Sequence, residues 1–224
     1  MSADVADLGL RWRLWGASLG VIALAGCAHM SVSERIDKAS TELASVPECC
    51  QTVQGLRKEP LPVLKPVSFT MDASRPVFRI GPDKSYVLAF ELPRFEKPYA
   101  VTVSSLTQGA ITDSWLFVPR VTLMDEHSQV TRSFSEESLR TRGRAVERTV
   151  FINPSNASER YLVVHAAALK SSYVRDVQAV TTQAVAVGTG MAYWTSGADV
   201  KAVTRSAPIG ELEVSVEGLA SLPR

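Results

Sequence analysis

With 224 residues, 24 basic against 23 acidic side chains and a net charge of +1, the chain carries no electrostatic footprint for nucleic acid. Its 46% hydrophobic and 21% charged residues are an ordinary globular mixture, long enough for one sizeable core or at most two small ones. Three cysteines and three histidines without ligand spacing argue against a zinc site and leave few groups for proton transfer.

The N-terminal stretch supplies an address. Arg11 and Arg13 precede an apolar segment running from Leu14 to Ala25. A cationic flank, about a dozen apolar residues and a small-residue boundary are the parts of a secretory signal peptide. A transmembrane helix needs about 20 apolar residues, and this run stops sooner, with polar His29 and Ser31 following. Leu24-Ala25-Gly26-Cys27 resembles the lipobox of bacterial lipoproteins. That resemblance implies a cut before Cys27, a thiol joined to diacylglycerol and an acylated new amine. Several acyl chains hold a protein on a bilayer where one would not. Ala28 after the cysteine points to the outer membrane, on the periplasmic side.

Cys49 and Cys50 are adjacent. In an oxidising compartment they form either a vicinal disulfide, whose small ring lies outside normal bridge dimensions, or two separate small buried side chains. Between Cys27 and this pair, Ser31-Val-Ser-Glu34 has the form of a capping box. Ile36, Ala39, Ser40 and Leu43 recur at helical spacing, which predicts an amphipathic helix over 32–45, ending before Pro47. Gly55, Pro60, Pro62 and Pro66 predict an extended connection without regular structure over 55–66.

From Val67 the period changes to two. Val67, Phe69 and Met71 alternate with polar neighbours; Val77–Ile80 ends at Gly81-Pro82-Asp83; Tyr86–Leu92 is stopped by Pro93; Tyr99–Ser104 alternates cleanly. The aromatic and β-branched run from Trp115 to Met124 is broken by Pro119, which predicts an edge position or a bulge. A polar insert, Phe134 to Arg148, mixes both charge signs and predicts a short exposed helix around Glu136–Thr141, its arginines on a solvated face rather than in an anion site. Val150–Ile152 and Tyr161–His165 read as further strands, with His165 a structural histidine. Tyr173–Ala186 is compatible with helix or strand. Leu212, Val214 and Val216, alternating with acidic and polar residues, predict a last strand. Short strands at about 10-residue spacing are the pattern of an antiparallel sandwich.

Chemistry is sparse. The one Gly-x-Ser-x-Gly string, Gly16–Gly20, falls inside the apolar run of the leader and none follows Cys27, and the carboxylates lie in charged surroundings rather than in apolar runs. Gly188-Thr-Gly190 lacks the third glycine and the lysine of a phosphate loop. Binding has better support: Tyr193-Trp194, between Gly190 and Gly197, reads as an aromatic pair in a polar loop. Together with Trp115 it forms the candidate ligand-binding set, because aromatic faces pack on sugar rings while Tyr and Trp add a polar handle.

Several stretches together resemble the MalM family of periplasmic proteins encoded with maltose and maltodextrin uptake genes. They are the lipobox-type leader, Cys49-Cys50 with the segment to Leu56, Tyr86–Pro93, Ser104-Ser105, Leu116–Asp125 and Tyr161–His165. The resemblance spans about residues 28–217. It implies a non-enzymatic envelope protein linked to carbohydrate transport, without catalytic residues. Some members have a plain signal peptide, and the lipobox cysteine here favours tethering over free diffusion.

The expectation is therefore a mainly β protein, an antiparallel, jelly-roll-like β-sandwich with an N-terminal amphipathic helix. Residues 1–26 are the signal peptide, 27–66 the tether, helix and proline-rich connection, 67–217 the sandwich and 218–224 a tail. The expected partners are the membrane through Cys27, and an oligosaccharide such as a maltodextrin or an envelope transport protein. No cofactor, metal or nucleic acid is expected. The alternative is a structural or interaction lipoprotein without a sugar ligand.

Overall fold

The computed structural model describes residues 30–63, 65–110, 112–167 and 172–218, with 173–179 described by their backbone alone. The expected leader, Cys27 and the last residues of the tail lie outside the described residues.

The chain begins with α1 (Val32–Ser45). Its cap is the box read from the sequence: Glu34 N donates to Ser31 Oγ at 3.2 Å and Ser31 N donates to Glu34 Oε2 at 2.8 Å. These bonds hold the Glu34 carboxyl below the usual carboxylate range. Ala39 and Leu43 face inward, and Pro47 prevents continuation.

Among the described residues fifteen strands follow in order: β1 (Lys58–Glu59), β2 (Val67–Met71), β3 (Val77–Ile80), β4 (Asp83–Glu91), β5 (Tyr99–Leu106), β6 (Gln108–Gly109), β7 (Asp113–Phe117) and β8 (Pro119–Asp125). Then come β9 (Val130–Phe134), β10 (Arg140–Arg142), β11 (Ala145–Ile152), β12 (Glu159–Ala166), β13 (Ser172–Val187), β14 (Gly190–Ala207) and β15 (Gly210–Glu217). One sheet has the order β1-β4-β12-β8-β9 with β3 beside β4; a second has the order β10-β11-β5-β15-β2. They form the expected sandwich. Its core joins Leu88, Phe90, Leu123 and Leu162 of the first sheet to Val101, Val103, Ile152 and Leu212 of the second. Alternation places these side chains on the inner faces because successive strand residues point to opposite sides.

The first sheet is covered on its other face too. Val87, Ala89, Met124 and Val163 pack under Val53 and Leu56, with Cys50 alongside. This is why β4 is buried without interruption from Ser85 to Phe90. The segment 55–66 accordingly differs from a structureless connection. Val53–Gly55 make a 3₁₀ turn, Lys58–Glu59 pair in parallel with Ala89 and Phe90, and Leu61 and Val63 pack on the main core.

A third sheet, β13-β14-β7-β6, accounts for two further differences. The run from Trp115 to Met124 serves two sheets. β7 pairs with β14, whereas β8 lies between β12 and β9, so Pro119 occupies neither an edge strand nor a bulge. It is the first residue of β8, at the point where the chain changes sheets, and its missing N–H costs no ladder bond there. The second difference is in the polar insert: only Glu136–Ser138 are helical, as a single 3₁₀ turn, and Arg140–Arg142 form a hairpin with Ala145–Glu147 across Gly143, whose φ is +58°. The undecided segment 173–186 is strand, paired along its length with β14.

Candidate functional site

β13 and β14 form a hairpin of 16 and 18 residues, and among the described residues its strand pairing to the rest of the fold is confined to its base. β14 pairs with β7 only from Val203 to Ala207, where Arg205 is paired with Asp113 and Ser114 Oγ meets Thr204 Oγ1 at 2.8 Å. Ala202, Thr204 and Ala207 are buried; from residue 180 to 199 every residue is exposed. Antiparallel register holds from Ser172↔Arg205 to Val187↔Gly190, closing on Gly188 with φ +62°. β-branched Val and Thr dominate β13, which favours the pleated ribbon over helix although the segment is also rich in Ala and Gln.

Tyr193 and Trp194 sit within β14, at 73% and 71% exposure, rather than in a loop. As strand neighbours they face opposite sides of the ribbon, Tyr193 above Ala184 and Trp194 above Gln183. They do not make one two-ring platform. Trp115 stands apart from both. It lies opposite Arg205, eleven residues down β14 from Trp194, or about 37 Å along the strand. There it is half-buried, with the Arg35 guanidinium 5.0 Å from its ring centroid, and it anchors α1 to the third sheet. The clefts beside Leu139 and Arg144, beside Arg35 and Ala39, beside Cys49 and Cys50, and beside Phe95 and His127 are not lined by Trp115, Tyr193 or Trp194.

Cys49 and Cys50 are joined as a vicinal disulfide. Cys49 N donates to Val77 O at 2.8 Å, and Cys50 lies so close to Gly55 that an added Cβ there would come within 2.9 Å of the Cys50 Cβ. The pair borders an open cleft with Glu48, Gln51, Phe78 and Arg79. Its evident structural role is to pin the covering segment to the outer face of the first sheet.

The remaining polar candidates are structural. His165 is buried between β4 and β8, its Nε2 3.1 Å from Thr122 Oγ1. Burial, reinforced by nearby Arg120, pushes its pKa down to about 4. Tyr99 is pushed up to about 12 by burial. The insert arginines are engaged locally: Arg144 donates to Gly109 O at 3.0 Å, Arg142 lies 3.8 Å from Glu147, and Arg148 stacks on Phe134. Arg120 links Asp83 at 2.7 Å to Glu136 at 3.2 Å. Glu159, flanked in sequence by polar Ser158 and Arg160, is buried and held by Arg132; only tertiary packing reveals it. Among the described residues no group of three His, Cys, Asp or Glu side chains could hold a metal ion, and no helix is long and apolar enough to cross a membrane.

The arm is thus the candidate functional feature that residue-type motifs missed. Its signal was present in the sequence, as the absence of any charged residue between Asp176 and Asp199. Comparison with protein-family models, with curated proteins and with solved structures finds no match to this chain.

Proposed function

We propose that the chain is a non-enzymatic lipoprotein, anchored through Cys27 on the periplasmic side of the outer membrane and accessory to carbohydrate transport. Maltose and maltodextrins are the class its resemblance to the MalM family implies. It works by contact, offering the β13–β14 arm to a transport component. The observation that carries this reading is the projecting arm itself, with Tyr193 and Trp194 exposed on its two faces. Two large aromatic side chains held in water on a projecting ribbon mark a surface meant to be covered. The groups with the largest protonation shifts, His165 buried on the outer face of the first sheet and Tyr99 buried in the sandwich core, are packed in sheet interiors rather than exposed in a cleft, which supports a binding role over catalysis.

A second reading, a structural or interaction lipoprotein without a sugar ligand, is favoured by the opposed orientation of the two rings. A sugar would have to stack on Trp194 alone. The test begins with acyl labelling of the full-length chain in a bacterial host, which should be lost in Cys27→Ser. Tryptophan fluorescence of the purified protein is then titrated with maltose through maltoheptaose, with cellodextrins as controls. A saturable response to α-glucans alone, abolished in Trp194→Ala, supports sugar binding. Silence up to millimolar sugar, together with Trp194-dependent cross-linking to a carbohydrate transporter, supports the protein contact. Neither response, or unlabelled Cys27, removes the reading.

A further inference from the structure

The arm has an unguarded edge. β13 ends its sheet, and among the described residues no strand pairs with its outer side along the 16-residue length. Natural edge strands are blunted by lysine, proline, bulges or shortness. Residues 177–187, Val-Gln-Ala-Val-Thr-Thr-Gln-Ala-Val-Ala-Val, contain no charge and no proline, and the register with β14 runs through them without a bulge. A two-stranded ribbon is also marginal in water on its own, and three or more strands are needed for independent stability.

We infer that this edge pairs with the same edge of a second copy of the chain, antiparallel about a two-fold axis at Thr182, making a four-stranded sheet β14-β13-β13-β14. The sequence of β13 is self-complementary in that register. Thr182 meets Thr182 of the second copy, Val180 meets Ala184, Ala179 meets Val185, and Val177 meets Val187. These are small and β-branched pairs of the kind that stabilise adjacent strands. Charges fall clear of the contact: Arg175 and Asp176 come to lie beside Thr189 and Gly188 of the other copy's turn, where no side chain is charged or large. An isologous contact of this kind closes at two copies rather than growing into a fibre.

The outer edge of β14 is shorter and is flanked by charge, at Asp199 and Lys201. Toward its base β7 already occupies it from Val203 to Ala207. Pairing through the β13 edge uses main-chain groups, so both faces of the arm stay open and a dimer presents two copies of Tyr193 and Trp194. The inference therefore goes beyond the proposed transport role and does not depend on it.

The test uses the purified full-length chain. Light scattering across a dilution series should give a dimer that dissociates at low concentration. Under mild oxidation, Thr182→Cys should cross-link copies efficiently, whereas Thr195→Cys, opposite it on β14 and away from the edge, should not. Thr182→Lys places two like charges directly opposite each other and should shift the protein to monomer, while Thr182→Val keeps the dimer. Trp194→Ala should leave dimerisation unchanged even where it abolishes a sugar or transporter response. A protein that stays monomeric at all concentrations without Thr182→Cys cross-linking overturns the inference. So does a monomer whose arm becomes protease-protected only with phosphatidylglycerol-containing vesicles, because the bilayer would then be the occupant. Cross-linking at Thr195→Cys in preference to Thr182→Cys overturns the register.

Discussion

Arg132 closes on Glu159 with two short charge-assisted bonds, Nε to Oε1 at 2.7 Å and Nη2 to Oε2 at 2.6 Å, while the Glu159 side chain is only 1% exposed. Thr131 Oγ1 donates a third bond to the same carboxylate at 2.8 Å. Where β12 begins and β9 runs alongside β8, this cluster ties three strands at the rim of the first sheet. Arg132→Met strands a buried carboxylate and should cost about 3 kcal/mol, since breaking one side of a buried pair is far more damaging than replacing both. Arg132→Met with Glu159→Leu should recover much of the loss. Chemical denaturation of the wild type and the two variants checks the order, and an Arg132→Met variant no less stable than the wild type would refute the account.

His165 makes stability depend on pH. In the folded chain its pKa is about 4, against 6.5 for the free side chain, because burial disfavours the imidazolium. The folded state therefore binds fewer protons than the unfolded state between these values. Its contribution is fully present above pH 6.5 and is lost as pH falls through 6.5 toward 4, by up to about 3 kcal/mol at 1.36 kcal/mol per pH unit. His165→Gln should flatten the wild-type decline across that window, as measured by urea midpoints at stepped pH. An unchanged slope would mean that another group carries the acid sensitivity.

Gly210 begins β15 against Phe117 at the crossing of the second and third sheets. An added Cβ would lie 2.7 Å from Phe117 Cβ and 3.1 Å from its backbone N. Phe117 is fully buried, so the contact has no flexible end to yield. Gly210→Ala should destabilise by about 1–3 kcal/mol, the usual cost of overpacking, despite adding one methyl group. Gly143→Ala is a poor control because of its positive φ. Ser215→Ala, on the same strand, should change the thermal midpoint little.

Trp115 and Trp194 should separate in a quenching experiment. Trp194 is exposed on the arm, whereas Trp115 is half-buried beneath Arg35. Trp194→Phe should remove the readily acrylamide-quenched, red-shifted part of the emission, and Trp115→Phe should remove a bluer, less accessible part. Equal quenching constants in the two variants would contradict this placement. The result also sets the baseline for the sugar titration, in which Trp194 is the reporting ring.

Much of the organisation could be read from residue order. Ser31 and Glu34 specify the start of α1 because capping uses side chains within one turn of each other. The strands from Val67 to Ile80, Tyr86 to Leu92 and Tyr99 to Ser104, and the last strand around Val214, were legible because alternation is local and each has one face or both in the core. Pro119 misled for an instructive reason. A proline at the first residue of an interior strand and a proline on an edge strand have the same sequence signature, and only the sheet assignment tells them apart. Glu159 was invisible: its neighbours Ser158 and Arg160 are polar, and its partner Arg132 lies in a different strand.

Local sequence sufficed for the N-terminal helix, the mainly β class and most strand positions, because these rest on contacts within a few residues. Tertiary packing chose which strands share a sheet. It also decided that the segment around Cys49-Cys50 covers the outer face of β4, and that the uncharged ribbon from residue 177 to 198 leaves the domain as an arm instead of packing on it. Those outcomes depend on competition for burial among segments far apart in the chain. A window of alternating Val, Thr and Ala carries no information about whether a neighbour will cover it.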